Sequence, residues 1–169
     1  MCVLGQPVTL SLARLATLQG HPVSHREFEL LAQDLDSQAL DGVPLAGKIG
    51  ALWHIRFPES HVRAPSWPPR PGDLPALWLG PLQTDGSMAV LTVLGALTNG
   101  ALSSIDEKGA SVMLLPEQAC HGRLLWLQPS AAAGETGLMP LPAPSQTAGT
   151  EAAAAGRLLN WILRLLRIG

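Results

Sequence analysis

The side chains that could act as nucleophiles are few. The sequence has two cysteines, Cys2 and Cys120. A reactive thiol needs a lowered pKa, which commonly comes from a helix N-terminus or a partner histidine. The first predicted helix begins near Pro7, too late in the chain for its dipole to act on Cys2. Cys120 has His121 beside it, but neighbouring side chains in a turn point apart as often as together. We therefore expect both thiols to be incidental, and a thiol peptidase that uses one of them is the alternative.

The remaining candidate groups do not have the spacing of a catalytic or metal site. Asp106 and Glu107 are adjacent, and adjacent strand residues point to opposite faces, so a solvated turn is expected there. No phosphate-binding loop, dinucleotide fingerprint or nucleophile elbow occurs. The histidines, too scattered for zinc ligands, are His21, His25, His54, His61 and His121. The sequence therefore predicts no metal site, no cofactor and no catalytic site.

Composition defines the class of protein in which these groups sit. The 169 residues are 47% hydrophobic and 14% charged, which predicts one compact domain and excludes disorder of the whole chain. Eleven basic and thirteen acidic residues give a net charge of −2, so no nucleic-acid partner is expected. The apolar N-terminal run contains Gln6, Arg14 and Gln19, and it fits neither a signal peptide nor a membrane span. A cytoplasmic domain is expected.

The first half of the sequence has helical periodicity. A first helix is predicted from Pro7 to Gly20, and a second begins at Ser24, where Glu27 three residues later completes a capping box. A third helix is predicted over Leu45 to Trp53 because Leu45, Ile49 and Leu52 share a face. The period then changes, and the alternating residues His54–Phe57 and His61–Ala64 predict strands, followed by a proline-rich loop to Asp73.

The second half predicts an antiparallel sheet. Turn signals separate its apolar runs at Asp85-Gly86 and at Asn99-Gly100. A short helical turn is expected at 116–119. The predicted strands are Leu74–Leu79, Met88–Leu94, Ala101–Ile105, Ser111–Leu115 and Arg123–Gln128. The fold class is therefore α+β, with N-terminal helices packed on an antiparallel meander in a domain over residues 1–128.

The C-terminal part has a different composition. Residues 129–150 are rich in Pro, Ala, Gly and Ser and predict a flexible linker. Residues 151–169 predict a helix with a narrow cationic stripe and a wide apolar face, too short and too charged to span a bilayer. A helix in the membrane interface is favoured; burial in a partner or packing on the core are the alternatives. Its interface residues are Arg157, Trp161, Leu163, Arg164, Leu166 and Arg167.

Three segments of the sheet region carry a resemblance to a known family. They are LPALW at 74–78, DGSMAVLT at 85–92, and Ser104-Ile105-Asp106. With the helical start, they resemble the papain-like N-terminal domain of bacterial ABC exporters, over roughly residues 5–128. In bacteriocin exporters this domain is the double-glycine leader peptidase. In type I secretion exporters it is degenerate and binds unfolded substrate. The resemblance to either form implies a papain-like fold.

The resemblance also implies that the peptidase centre is lost. Aligned on the helix that ends at Gly20, the nucleophile position falls near Pro7, and the histidine position holds Met88. Asp106 resembles the aspartate that orients the histidine, but it has neither base nor nucleophile to act on. The chain is therefore expected not to be an enzyme, and any ATPase domain would lie outside it.

The function implied is that of a non-catalytic accessory domain of a type I secretion ABC exporter. It would hold unfolded secreted protein or peptide at the cytoplasmic face of the bacterial inner membrane, beside the exporter's transmembrane and nucleotide-binding domains. The alternatives are an active double-glycine leader peptidase, or a membrane-surface adaptor unrelated to transport. The expected substrate-binding residues are Trp67, Leu77, Trp78, Met88 and Val90.

Overall fold

The computed structural model describes residues 4–37, 40, 42–82 and 88–129. They form part of the compact unit Met1–Pro129. Its helices are α1 (Gln6–Leu18), α2 (His25–Ser37), α3 (Leu45–Arg56) and α4 (Pro116–Ala119), with a 3₁₀ turn at Pro71–Asp73. Its strands are β1 (His61–Arg63), β2 (Ala76–Pro81), β3 (Met88–Ala96), β4 (Leu102–Ile105), β5 (Ser111–Leu114) and β6 (Arg123–Gln128). The α+β class is confirmed, and the predicted terminal helix lies outside the described residues.

The ends of the first two helices follow the sequence signals. Gly20 adopts a φ of +82°, and the amide of His21 donates to the carbonyl of Ala16 at 2.9 Å, which is the Schellman ending of α1. The Ser24 hydroxyl accepts the backbone N–H of Glu27 at 3.2 Å and so caps α2. Both helix boundaries are therefore set by local hydrogen bonds that the sequence pattern predicts.

The third helix is longer than predicted. The alternation over His54–Phe57 predicts the start of a strand, but α3 continues to Arg56. Contacts with α2 explain the difference. The ring of Trp53 stacks on Phe28 with centroids 6.2 Å apart, and the Arg56 guanidinium is 2.6 Å from the carboxylate of Glu27. The strand prediction was wrong because four alternating residues also fit the last turn of a helix whose face is fixed by packing.

The six strands form one antiparallel sheet in the order β1-β6-β2-β3-β4-β5. Strands β2 to β5 are consecutive neighbours, as the predicted meander requires. The last strand departs from that topology, because β6 returns past α4 to the far side of β2 and also pairs with β1. Through this return, β6 pairs with β1, the strand that directly follows the three N-terminal helices.

Two turns between strands share one pattern. In each, the first residue donates its N–H to the carbonyl four residues on, and a glycine follows with a φ near +84° or +87°. They are Leu97–Ala101 and Asp106–Ala110, closed by the left-handed residues Gly100 and Gly109. Hydrogen bonds of this kind, with a glycine in the left-handed region, are typical of three-residue hairpins. Strand β3 bulges between Val93 and Gly95 beside the first of them.

The centre of the sheet, above all β2, is buried on both faces. On one face a cluster that includes Trp78, Leu91, Leu102 and Leu114 packs with Ala119 of α4. Side chains alternate along a strand, so the intervening residues point to the opposite face, where α1 lies against β2 and β3. Because both faces are covered, the central strands are apolar at nearly every position, and the sheet is a rigid platform for its loops.

Candidate functional site

The structure brings together three segments to which the sequence resemblance assigns the peptidase positions: α1, β3 and the turn after β4. The hydroxyl of Ser11 in α1 donates to the carbonyl of Val90 in β3 at 3.4 Å, and Arg14 donates to carbonyls just after β4. Pro7 is one helical turn before Ser11, and Met88 is two residues before Val90, on the same face of its strand. The middle of α1 therefore lies against β3, and its Arg14 reaches the turn that follows β4.

The side chains at these positions have no acid–base or nucleophilic chemistry. Pro7 is exposed near the start of α1, and Met88 is the first residue of β3, with 58% of its surface exposed. Neither a proline ring nor a thioether can accept or donate a proton in the way that a cysteine–histidine pair does. Met88 instead presents an exposed apolar side chain, which could contact a ligand.

Asp106 has a structural part in the hairpin between β4 and β5. Its carboxylate accepts the N–H of Ala110 at 2.8 Å, and its own carbonyl accepts the N–H of Gly109 at 3.1 Å. The same carbonyl accepts from the Arg14 guanidinium. An aspartate at the first position of such a turn is common because its side chain can bond to backbone amides further on. The turn therefore accounts for Asp106 without any reference to catalysis.

Three of the expected substrate-binding residues belong to the core. Leu77 and Trp78 have no exposed surface, and Val90 is 5% exposed. The Trp78 indole donates to the carbonyl of Ala119 at 3.0 Å, so its polar edge is satisfied inside the protein. A side chain without solvent contact cannot meet a bound peptide, and we correct the expectation for these three. Strand alternation alone does not reveal that both faces of β2 are covered.

The cysteine that is described has no catalytic surroundings. Cys120 follows α4 and is exposed, and its thiol donates to the carbonyl of Glu117 at 3.1 Å. In the described part of the chain, histidine, cysteine and acidic side chains form no group of three or more that could bind a metal ion. Cys2 lies outside the described residues. Cys120 is thus held by a local backbone contact.

A polar cleft of about 420 Å³ lies at the proline-rich loop, where the sequence pattern singles out only Trp67. Trp67 is 40% exposed, beside Ser66 in the cleft wall. Arg63 and Arg70 line the cleft with the buried carboxylate of Asp73. The ten-residue separation of Arg63 from Asp73 has no motif, so no sequence signal could have predicted their pairing.

Comparisons with known proteins do not assign the chain to a family. No family model matches the sequence, and no curated protein matches it. Among the described residues, no helix has the length and apolar character needed to cross a membrane. The predicted membrane-interface residues, from Arg157 to Arg167, lie outside the described part of the chain.

Proposed function

We propose that this domain binds unfolded polypeptide without cleaving it, as an accessory domain of a type I secretion ABC exporter. One observation supports this most: α1 packs against β3 and is bonded to the turn after β4, and Pro7 and Met88, which the resemblance aligns with the nucleophile and base of the peptidases, are both exposed. The papain-like fold and the exporter family come from the sequence resemblance and are part of the same proposal.

Met88 is suited to contact varied sequences. Its unbranched thioether side chain adapts to irregular partners and contributes apolar contact area. It stands at the end of β3, paired with Pro81, so a peptide could lie across the strand ends without disturbing the core. Backbone hydrogen bonding and a few side-chain contacts would then give affinity with little sequence selectivity, which is what holding an unfolded chain requires.

The matched pair Met88 and Met113 tests this surface. The two methionines are 58% and 57% exposed, and Met113 lies on the edge strand β5. We expect Met88→Ser to weaken binding of an unfolded, glycine-rich calcium-binding repeat protein, measured by calorimetry without calcium, by about fivefold, the loss of one partly buried apolar contact. Met113→Ser should bind like the wild type. Equal binding by Met88→Ser and the wild type would contradict the proposed surface.

We also propose that residues 151–168 place the domain at the cytoplasmic face of the inner membrane. This rests on the sequence alone, with arginines towards lipid headgroups and the apolar face in the acyl boundary. Replacing Leu163 and Leu166 with Asp should abolish binding of the full chain to liposomes that contain anionic lipid. Binding retained by this double variant in a flotation assay would contradict the membrane-surface proposal, and it would leave polypeptide binding untouched.

A further inference from the structure

The polar cleft beside β1 is organised around one buried carboxylate. Asp73 is 8% exposed, and one of its oxygens lies 2.5 Å from the Arg63 guanidinium. Its other oxygen accepts the backbone N–H of Arg70 at 2.9 Å. A single acidic group therefore bonds the side chain of the strand residue Arg63 and the backbone of the loop residue Arg70, and a charge-assisted hydrogen bond is directional and strong.

Arg63 keeps donor capacity in this arrangement. Its guanidinium carbon lies over the ring of Trp126, 4.3 Å from the centroid, so a cation–π contact holds one side of the group. The side chain is still 51% exposed. A guanidinium has five N–H donors, and the bond to Asp73 uses only part of them. The partly exposed Arg63 side chain also lines the cleft, so its remaining donors are available to a ligand there.

The charges of the cleft favour an anion of unit charge. Arg63 and Arg70 each carry one positive charge and Asp73 carries one negative charge, which leaves an excess of one positive charge among the lining residues. The hydroxyl of Ser66 is a further donor or acceptor on the same wall. Trp67, flanked by prolines, adds an exposed aromatic surface beside that wall. An aromatic next to arginines is a common composition for surfaces that bind polypeptide.

We propose that this cleft binds a carboxylate side chain of an acidic polypeptide segment, with Arg70 and Arg63 as the charged donors and Trp67 as the flanking contact. Arg63 is the last residue of β1, which is an edge strand of the sheet, so an extended chain could lie along that edge while one carboxylate enters the cleft. The single excess charge matches one carboxylate better than a doubly charged phosphate. The proposal is independent of the Met88 surface, because none of its residues lies in α1, β3 or β4.

Calorimetry on the full chain tests the site with a nine-residue, end-blocked peptide of alternating Ser and Glu. The same peptide with Gln in place of Glu is the neutral probe. We expect the Glu peptide to bind and Arg70→Gln to weaken that binding about tenfold or more, the loss of one charged hydrogen-bond partner. The matched control is Arg26→Gln, which removes an equally charged, exposed side chain from α2. It should bind like the wild type.

Several outcomes would overturn the assignment. If the Gln peptide bound as tightly as the Glu peptide, the carboxylate would have no part in recognition. Unchanged affinity of Arg70→Gln for the Glu peptide would exclude the cleft as the binding site. Acetate or inorganic phosphate binding as tightly as the peptide would mean a small-anion site rather than a polypeptide site. Met88→Ser should not change binding of the Glu peptide, so the failure of this site and the failure of the Met88 surface are distinguishable. Arg70→Lys, which keeps the charge but loses the fork, should lie between Arg70→Gln and the wild type.

Discussion

The guanidinium of Arg14 in α1 donates to the backbone carbonyl of Asp106, 92 residues further along the chain, and also reaches the carbonyl of Glu107 at 3.4 Å. A helix of the N-terminal half is thereby tied to the tip of the hairpin between β4 and β5. The bond fixes the junction between α1 and the turn that follows β4. Arg14 and Asp106 therefore help to maintain the shape of that junction.

Removing Arg14 should loosen this junction. Arg14→Ala leaves two carbonyls without their charged donor, and we expect a loss of about 1–3 kcal/mol in the free energy of unfolding, the usual cost of such hydrogen bonds. Urea denaturation followed by circular dichroism measures it. Arg26→Ala, on the exposed face of α2, should change stability by no more than about 0.5 kcal/mol. Equal stability of the two variants would contradict the structural part assigned to Arg14.

The close approach of Gly122 to Trp78 should make that glycine intolerant of a side chain. A Cβ at Gly122 would overlap the indole ring of Trp78. Because Trp78 is fully buried and bonded to Ala119, it has no room to move, and Gly122→Ala should destabilise the fold by about 3 kcal/mol or more. Gly95→Ala is the control, since a Cβ added there would have no atom within 4 Å. Comparable thermal midpoints for the two variants would contradict the packing described for Trp78.

The capping hydroxyl of Ser24 should contribute measurably to stability. Ser24→Ala removes the acceptor of the Glu27 N–H, and the expected cost is about 1 kcal/mol in urea denaturation. Ser24→Asp supplies another good cap and should recover most of the loss, helped by the favourable position of a negative charge at a helix N-terminus. If Ser24→Ala were as stable as the wild type, the cap would make no contribution to the free energy of unfolding.

Protonation of His54 should destabilise the domain. Burial lowers the pKa of His54 below its ordinary value of 6.5. The unfolded chain then binds this proton more readily than the folded chain, so stability is lost as the pH falls from about 7 through the folded-state pKa. His54→Gln should reduce that loss in denaturation curves taken between pH 7 and about 5. Parallel slopes for the wild type and His54→Gln would contradict the effect of burial.

Local signals made much of the fold predictable. Ser24 before an amphipathic run and the glycines Gly20 and Gly100 act over a few residues, and each stands where the sequence pattern predicts a cap or a turn. The return of β6 beside β2 and the extension of α3 to Arg56 depend on contacts between distant segments. No short-range pattern encodes such contacts, so those two features were missed.

The candidate site was less predictable than the fold, for the same reason. Among the expected substrate-binding residues, Trp67 and Met88 are exposed, but Trp78 lies beneath α4, which only the tertiary structure shows. The Arg63–Asp73 pair joins a strand to a loop across ten residues without any regular spacing. Charge pairs of this kind are fixed by the path of the chain, so the cleft could be found only from the tertiary structure.

Binding of an unfolded secreted-type polypeptide to the full chain tests the central claim most directly. Calorimetry should show saturable binding of about micromolar strength to the calcium-free, glycine-rich repeat protein. Addition of calcium, which folds the repeats, should abolish it, and mass spectrometry should recover the ligand intact. Absence of binding to the unfolded chain would contradict the account, and so would cleavage of the ligand.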